Sequence, residues 1–185
     1  MTYTLEAGYG SKIVVPGGGF LLNNEMGDFN AAPELTDDKG LIGTAANLAR
    51  PGKRMLSSMT PTIVARDGTL FMVVGTPGGR TIINTVLTTI LNVIDYGMNI
   101  QEAVDAPRFH QQWLPDVTNV EPFGLSPDTR KILTDMGHKL GDPQPANHVA
   151  AILVGAPALG GKPVGNARFY GANDPRRGTG LALGY

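Results

Sequence analysis

The chain has 185 residues, 42% apolar and 17% charged, with a formal net charge of −1 and no cysteine. That is enough chain for one domain with a sizeable core, and the composition excludes a disordered tail. Near-neutral charge without a basic run argues against a nucleic-acid or anionic-membrane surface, no apolar stretch nears the roughly 20 residues of a membrane span, and thiol chemistry is excluded.

The opening residues Thr2, Tyr3, Thr4 and Leu5 carry the β-branched and aromatic types of a strand, yet no turn, partner strand or signal peptide precedes them. One expectation is that Met1 is not the natural start of the domain. KIVVP and GFLLNN read as further short strands joined by Gly17-Gly18-Gly19, and residues 30–54 read as a surface loop ending at PGKR. TPTIVARDGTLFMVVG predicts a hairpin around Arg66-Asp67-Gly68. The period then changes: Ile83, Val86, Leu87, Ile90, Leu91 and Ile94 predict a buried helix face, with Gly97 at the stop. A short helix is expected from Ile100 to Asp105, and another begins at Ser126-Pro127-Asp128 and ends at Gly137. VAAILV and ARFYGA read as late strands. No repeat or domain boundary is evident. The expected fold is α/β, sheets with helices packed outside.

Several short stretches could carry chemistry. Glu25 and Asp28, in NNEMGDF, could jointly accept N–H bonds from an ammonium group, or could be a solvated turn. Ser57 and Ser58, in RMLSSMTPT, are suited to holding a carboxylate, or to capping a turn. Gly78 and Gly79, in GTPGGRTII, join a buried strand to an apolar helix. Backbone N–H groups at such a junction could hold a phosphate or an oxyanion, or the pair could form a plain tight turn. The stretch does not match GxxxxGK[ST], and no GxSxG, HExxH or HxE…PCxxC set occurs. His110, His138 and His148 lack metal-like spacing, so neither metal nor cofactor is expected. No nucleophile stands out.

Taken in order, TYTLE, LLNNEMGDF, PGKRMLSSMTPTIV, VGTPGG, NVIDYGMNIQEAVDAPRFHQQWLP and YGANDPRRGTGLALGY resemble the small subunit of γ-glutamyltranspeptidase over essentially the whole chain. The resemblance implies an N-terminal-nucleophile hydrolase with a four-layer αββα sandwich, incomplete here. It also implies a precursor that cuts itself in two. The new N-terminal threonine of the small subunit then attacks the γ-glutamyl amide of glutathione or related compounds, and the acyl group passes to water or an amine. On this resemblance the strand bearing that threonine precedes TYTLE and is missing. The whole of 1–185 is then a single small-subunit-like domain, inactive alone, whose large-subunit partner is absent.

The resemblance carries roles to matching residues only. Thr4 fits the second threonine, which helps activate the nucleophile; Glu25 and Asp28 fit the pair holding the substrate α-ammonium; Ser57 and Ser58 fit the α-carboxylate contacts; Gly78 and Gly79 fit the oxyanion hole. Glu6 departs from the asparagine many members carry, and a third carboxylate there could strengthen ammonium capture or change the acceptor. Removal of Met1 would leave Thr2 as an N-terminal threonine, but Thr2 aligns within the second strand and is not expected to be the nucleophile. The alternatives are a non-catalytic γ-glutamyl or amino-acid binding module and, suggested by Glu6 alone, a cephalosporin-acylase-like amidase. Periplasmic, secreted or membrane-anchored placement is implied by the resemblance alone.

Overall fold

The computed structural model describes residues 3–30, 32–38, 41–142, 147–155, 168–177 and 180–183, so Thr2 lies outside the described residues. The chain divides into two units, Met1–Ser57 with Trp113–Pro115, and Ser58–Gln112 with Asp116–Tyr185.

In the second unit, β1 (Thr62–Arg66) and β2 (Thr69–Gly75) pair antiparallel across Asp67 and Gly68. Both turn residues sit at positive φ, +51° and +73°, as a two-residue hairpin turn matched to strand twist requires. Val64 faces Met72 but Ala65 faces Leu70, which leaves Phe71 as the extra residue of a bulge. The bulge re-aims the chain, so that Phe71 and Met72, adjacent in sequence, are both buried.

Two later strands complete an antiparallel sheet of order β1-β2-β6-β7, with β6 at Ala150–Val154 and β7 at Phe169–Asn173. Helices α1 (Ile82–Ile94) and α2 (Ile100–Asp105) each bury some of their apolar side chains with one face of this sheet. Met72, Val74, Ala151, Leu153 and Ala172 from the strands form one core with Ile82, Val86, Val93, Ala103 and Val104. On the opposite face Ile63, Val73 and Ile152, aligned by register, are 74%, 38% and 48% exposed.

Helix α1 falls where its period predicts, but a different side of it is buried. Ile82, Thr85, Val86, Thr89 and Val93 face inward, while Ile83, Leu87, Leu91 and Ile94 are exposed. The apolar side chains cover one half of the helix and its Asn and Thr side chains the other, but the buried face is centred on the edge of the apolar half, where it takes in Thr85 and Thr89 and leaves part of the apolar half outside. Threonine can line the core because its hydroxyl is satisfied one turn back: Thr89 donates to the Thr85 carbonyl at 2.8 Å. Gly97, at φ +66°, reverses the chain beyond the helix.

Helix α2 carries a capping box between Asn99 and Glu102. Helix α3 (Pro127–Asp135) is capped by Ser126, whose hydroxyl accepts from Thr129 N at 3.1 Å, and Gly137 follows it at φ +95°. A small sheet that the sequence does not announce joins β3 (Phe109–His110), β4 (Thr118–Val120) and β5 (Leu140–Gly141). Its two- and three-residue strands are too short to show a period.

The first unit corrects three strand expectations. TYTLE, KIVVP and GFLLNN form no strand among the described residues; Val14 and Leu21 make a single antiparallel bridge. Ladder bonds do run beside it, Val15 N to Phe20 O at 2.9 Å and Leu22 N to Ile13 O at 2.9 Å. Positive φ at Glu6, Tyr9 and Lys12 turns the backbone too often for a longer ladder. The stretch 30–54 is also more than a surface loop, for it buries Asn47 in a 3-10 turn at Ala45–Asn47.

Candidate active site

In the first unit, Glu25–Asp28 is one turn of 3-10 helix. Side chains three residues apart eclipse in that geometry, so the Glu25 and Asp28 carboxyls lie on one side. Asn23 opens the turn, its Oδ1 accepting from Glu25 N at 3.0 Å. Glu6 joins them: a Cβ placed on Gly27 would stand 2.8 Å from Glu6 Oε1, so that carboxylate reaches over the turn. The segment carrying Thr4 and Glu6 is tied to the same turn, with Asn24 N donating to Leu5 O at 3.2 Å and Ala7 N to Asn24 Oδ1 at 3.0 Å.

Charge is left unbalanced here. Glu25 is buried and its Oε1 has no hydrogen-bond partner. Burial first, then a hydrogen bond shared with Asp28 and the negative charges of Asp28 and Glu6, push the Glu25 carboxyl above the ordinary glutamate value. Among the described residues no lysine or arginine forms an ion pair with Glu6, Glu25 or Asp28. Nor is any group of His, Asp or Glu there arranged to hold a metal ion.

Asn47 anchors the acidic turn from behind. Its Nδ2 donates to Asp28 O at 2.7 Å and Asn30 Oδ1 at 3.1 Å, and its Oδ1 accepts from Leu56 N at 2.9 Å. One buried amide therefore fixes both the acidic turn and the residue next to Ser57. Ser57 is exposed and ends the first unit; Ser58, half-buried, begins the second, where its carbonyl accepts from the Thr60 hydroxyl at 3.0 Å.

In the second unit the Gly78-Gly79 turn links β2 to α1. Gly78 has φ +144° and Gly79 φ +57°, backbone regions that side chains rarely adopt. Both are exposed, and neither N–H makes a hydrogen bond among the described residues. The turn has no lysine and no cradle of several amides, so it suits one oxygen better than a phosphate.

A second charged cluster in this unit escapes the sequence reading. Asp174 is fully buried and wrapped by donors: Arg108 Nη2 at 2.6 Å, Val149 N at 2.9 Å, and Arg176 N and Nη1 at 3.0 and 3.2 Å. Arg176 also grips Glu121 through Nε at 2.8 Å and Nη2 at 2.6 Å, a bidentate fork. Burial alone would raise the Asp174 and Glu121 carboxyls. For Asp174 the Val149 N–H and the Arg108 guanidinium outweigh burial, and for Glu121 the Arg176 guanidinium does, so both lie below their ordinary values. DAPRFH and ANDPRR held the signal, but pairing residues far apart in sequence needs the fold.

The γ-glutamyltranspeptidase family profile matches residues 1–184. A glutathione hydrolase proenzyme of a Pseudomonas species is 64% identical over 185 residues, all of this chain and 32% of its own length. Another, of Escherichia coli, is 46% identical over 185 residues, all of this chain and 30% of its own length. In a crystal structure of a mutant Helicobacter pylori γ-glutamyltranspeptidase, one chain superposes with TM-score 0.81 at 49% identity, covering 96% of this chain and 92% of that one. The chain spans about a third of the length of the curated relatives it matches. On these matches the chain belongs to the γ-glutamyltranspeptidase family.

Proposed function

We propose that the full-length protein cleaves γ-glutamyl amides, glutathione among them, and passes the γ-glutamyl group to water or to an amine acceptor. The observation that carries this reading is the buried, unpartnered Glu25 Oε1 beside Asp28 and Glu6. Three carboxyls without a cation among the described residues are suited to receive a substrate α-ammonium, and each charged hydrogen bond formed is worth about 1.5–3 kcal/mol.

The other roles follow the family. Ser57 and Ser58 take the α-carboxylate, and the Gly78 and Gly79 N–H groups take the oxygen that becomes negative when the γ-carbonyl is attacked. Thr4 assists the attacking threonine, which on this reading lies outside these 185 residues and is freed when the precursor cuts itself. Its hydroxyl oxygen bonds to the γ-carbonyl carbon, the carbon–nitrogen bond breaks, and the amine leaves with a proton. Each oxyanion donor supplies on the order of 3 kcal/mol.

The same reading makes residues 1–185 a small-subunit-like part whose partner is a large subunit from the same precursor. The bare sheet face of Ile63, Val73 and Ile152 supports a second sheet packed there, as in a four-layer αββα sandwich. The test is p-nitroaniline release from γ-glutamyl-p-nitroanilide. The full-length, self-processed protein should release it and the 185-residue chain should not; an inactive full-length protein overturns the reading.

A further inference from the structure

We propose that Asn147 is a positioning residue for the Gly78-Gly79 turn, an inference that rests on the oxyanion role given to that turn above. Asn147 is 4% exposed, and its side chain occupies the space on the inner side of Gly78: a Cβ at Gly78 would stand 2.0 Å from Asn147 Oδ1. Neither of its polar ends is idle. Oδ1 accepts from the Thr81 hydroxyl at 2.7 Å, and Nδ2 donates to the Thr85 hydroxyl at 2.5 Å. The Thr81 hydroxyl also lies 2.8 Å from Gly78 O and divides its one proton between the two acceptors.

The amide therefore fastens to Thr81, the last residue of a 3-10 turn at Gly79–Thr81, and to the first turn of α1 while filling the hollow behind Gly78. With its inner side plugged and its carbonyl held, the turn keeps the backbone shape in which neither glycine N–H has a partner among the described residues. Asn147 is itself fixed from below, because its carbonyl accepts from Arg108 Nη1 at 3.3 Å, and Arg108 is the guanidinium bound to buried Asp174. A rigid chain of polar contacts thus runs from Asp174 through Arg108 and Asn147 to Gly78. Such support matters because an oxyanion donor displaced by about 1 Å can cost on the order of 100-fold in rate.

The experiment uses the full-length, self-processed protein with γ-glutamyl-p-nitroanilide. Asn147→Ala should lower kcat on the order of 100-fold and leave KM within about twofold, because the oxyanion exists only after attack. Thr81→Val, which removes one of the amide's two partners, should lower kcat about 10-fold in the same manner. Affinity for a boronate analogue of the γ-glutamyl group, which forms a tetrahedral adduct, should fall in parallel with kcat, while affinity for glutamate stays unchanged. A kcat unchanged in the folded variants overturns the inference, as does a KM that rises as steeply as kcat falls, the mark of general loosening. If Asn147→Ala does not fold, Thr81→Val decides alone. A wild-type protein that releases no p-nitroaniline overturns the functional reading, and this inference with it.

Discussion

Two buried carboxyls, Glu25 and Asp174, have opposite surroundings. Asp174 is met by two guanidinium groups and two main-chain N–H groups, and its carboxyl is held below the ordinary aspartate value. Glu25 is met by two further carboxyls, keeps one oxygen unpartnered, and is pushed above the ordinary glutamate value. Burial costs a carboxylate solvation in both places. In one the chain supplies the compensation itself, so the cluster is structural; in the other the described residues supply none, which fits the proposal that a ligand with N–H donors does. The sign of the imbalance, more than the presence of acidic residues, separates a brace from a binding surface.

The larger effect is expected at Asp174. Replacing it with asparagine leaves Arg108 buried against a neutral partner and turns an amide N–H₂ toward donors. We expect Asp174→Asn to lose about 3–5 kcal/mol of stability in chemical denaturation of the full-length protein. A loss too small to measure would mean that the cluster is not the brace its geometry describes.

Glu25→Gln should behave in the opposite sense. It removes a charge that the fold does not compensate, so stability should rise, while KM for γ-glutamyl-p-nitroanilide rises about 10–100-fold for the loss of a charged hydrogen bond of about 1.5–3 kcal/mol. An unchanged KM would break the assignment of the acidic turn to the substrate ammonium.

The two carboxyls should also separate by pH. The folded Asp174 value lies below the ordinary 3.8, so its contribution to stability is present above 3.8 and lost as pH falls through the folded value. The folded Glu25 value lies above the ordinary 4.5, so its contribution is present below 4.5 and lost as pH rises through the raised value. The stability gap between Glu25→Gln and wild type should therefore open as pH rises from 4.5, and urea midpoints across acid pH would show it. A gap that closes instead would reverse the sign argued for Glu25.

How much of this the sequence discloses depends on how local the signal is. The Asp67-Gly68 turn, the Ser126 cap, the short helix at Ile100–Asp105 and the strands at Ala150–Val154 and Phe169–Asn173 are set by residues within a few positions of one another, and they were readable. The buried side of α1 was not, because its apolar half is wider than the face that meets the sheet, and that face takes in Thr85 and Thr89. The acidic turn was visible as Glu25 and Asp28, but the approach of Glu6 over Gly27 depends on backbone reversals at positive φ. Asn147 and Asp174 were invisible as site or brace, since their partners lie 62–66 residues away or form across strands.

The smallest expected effect tests whether pairing itself, rather than burial, gives the Asp174 cluster its weight. Lys131 and Asp135 on α3 make an ion pair at 2.5 Å, as short as the buried contacts, with side chains 75% and 60% exposed. They stand one helical turn apart, with lysine on the N-terminal side, the weaker order for such a pair. Water screens both charges, and ordering two long side chains offsets much of the attraction, so the pair is worth about 0.3–0.5 kcal/mol. Lys131→Ala should therefore move the unfolding midpoint barely, and less again in high salt, where the Asp174 cluster should keep its effect because solvent ions cannot reach it. A loss approaching that of Asp174→Asn would show that contact distance governs these pairs and burial does not, and the contrast drawn between Glu25 and Asp174 would lose its basis.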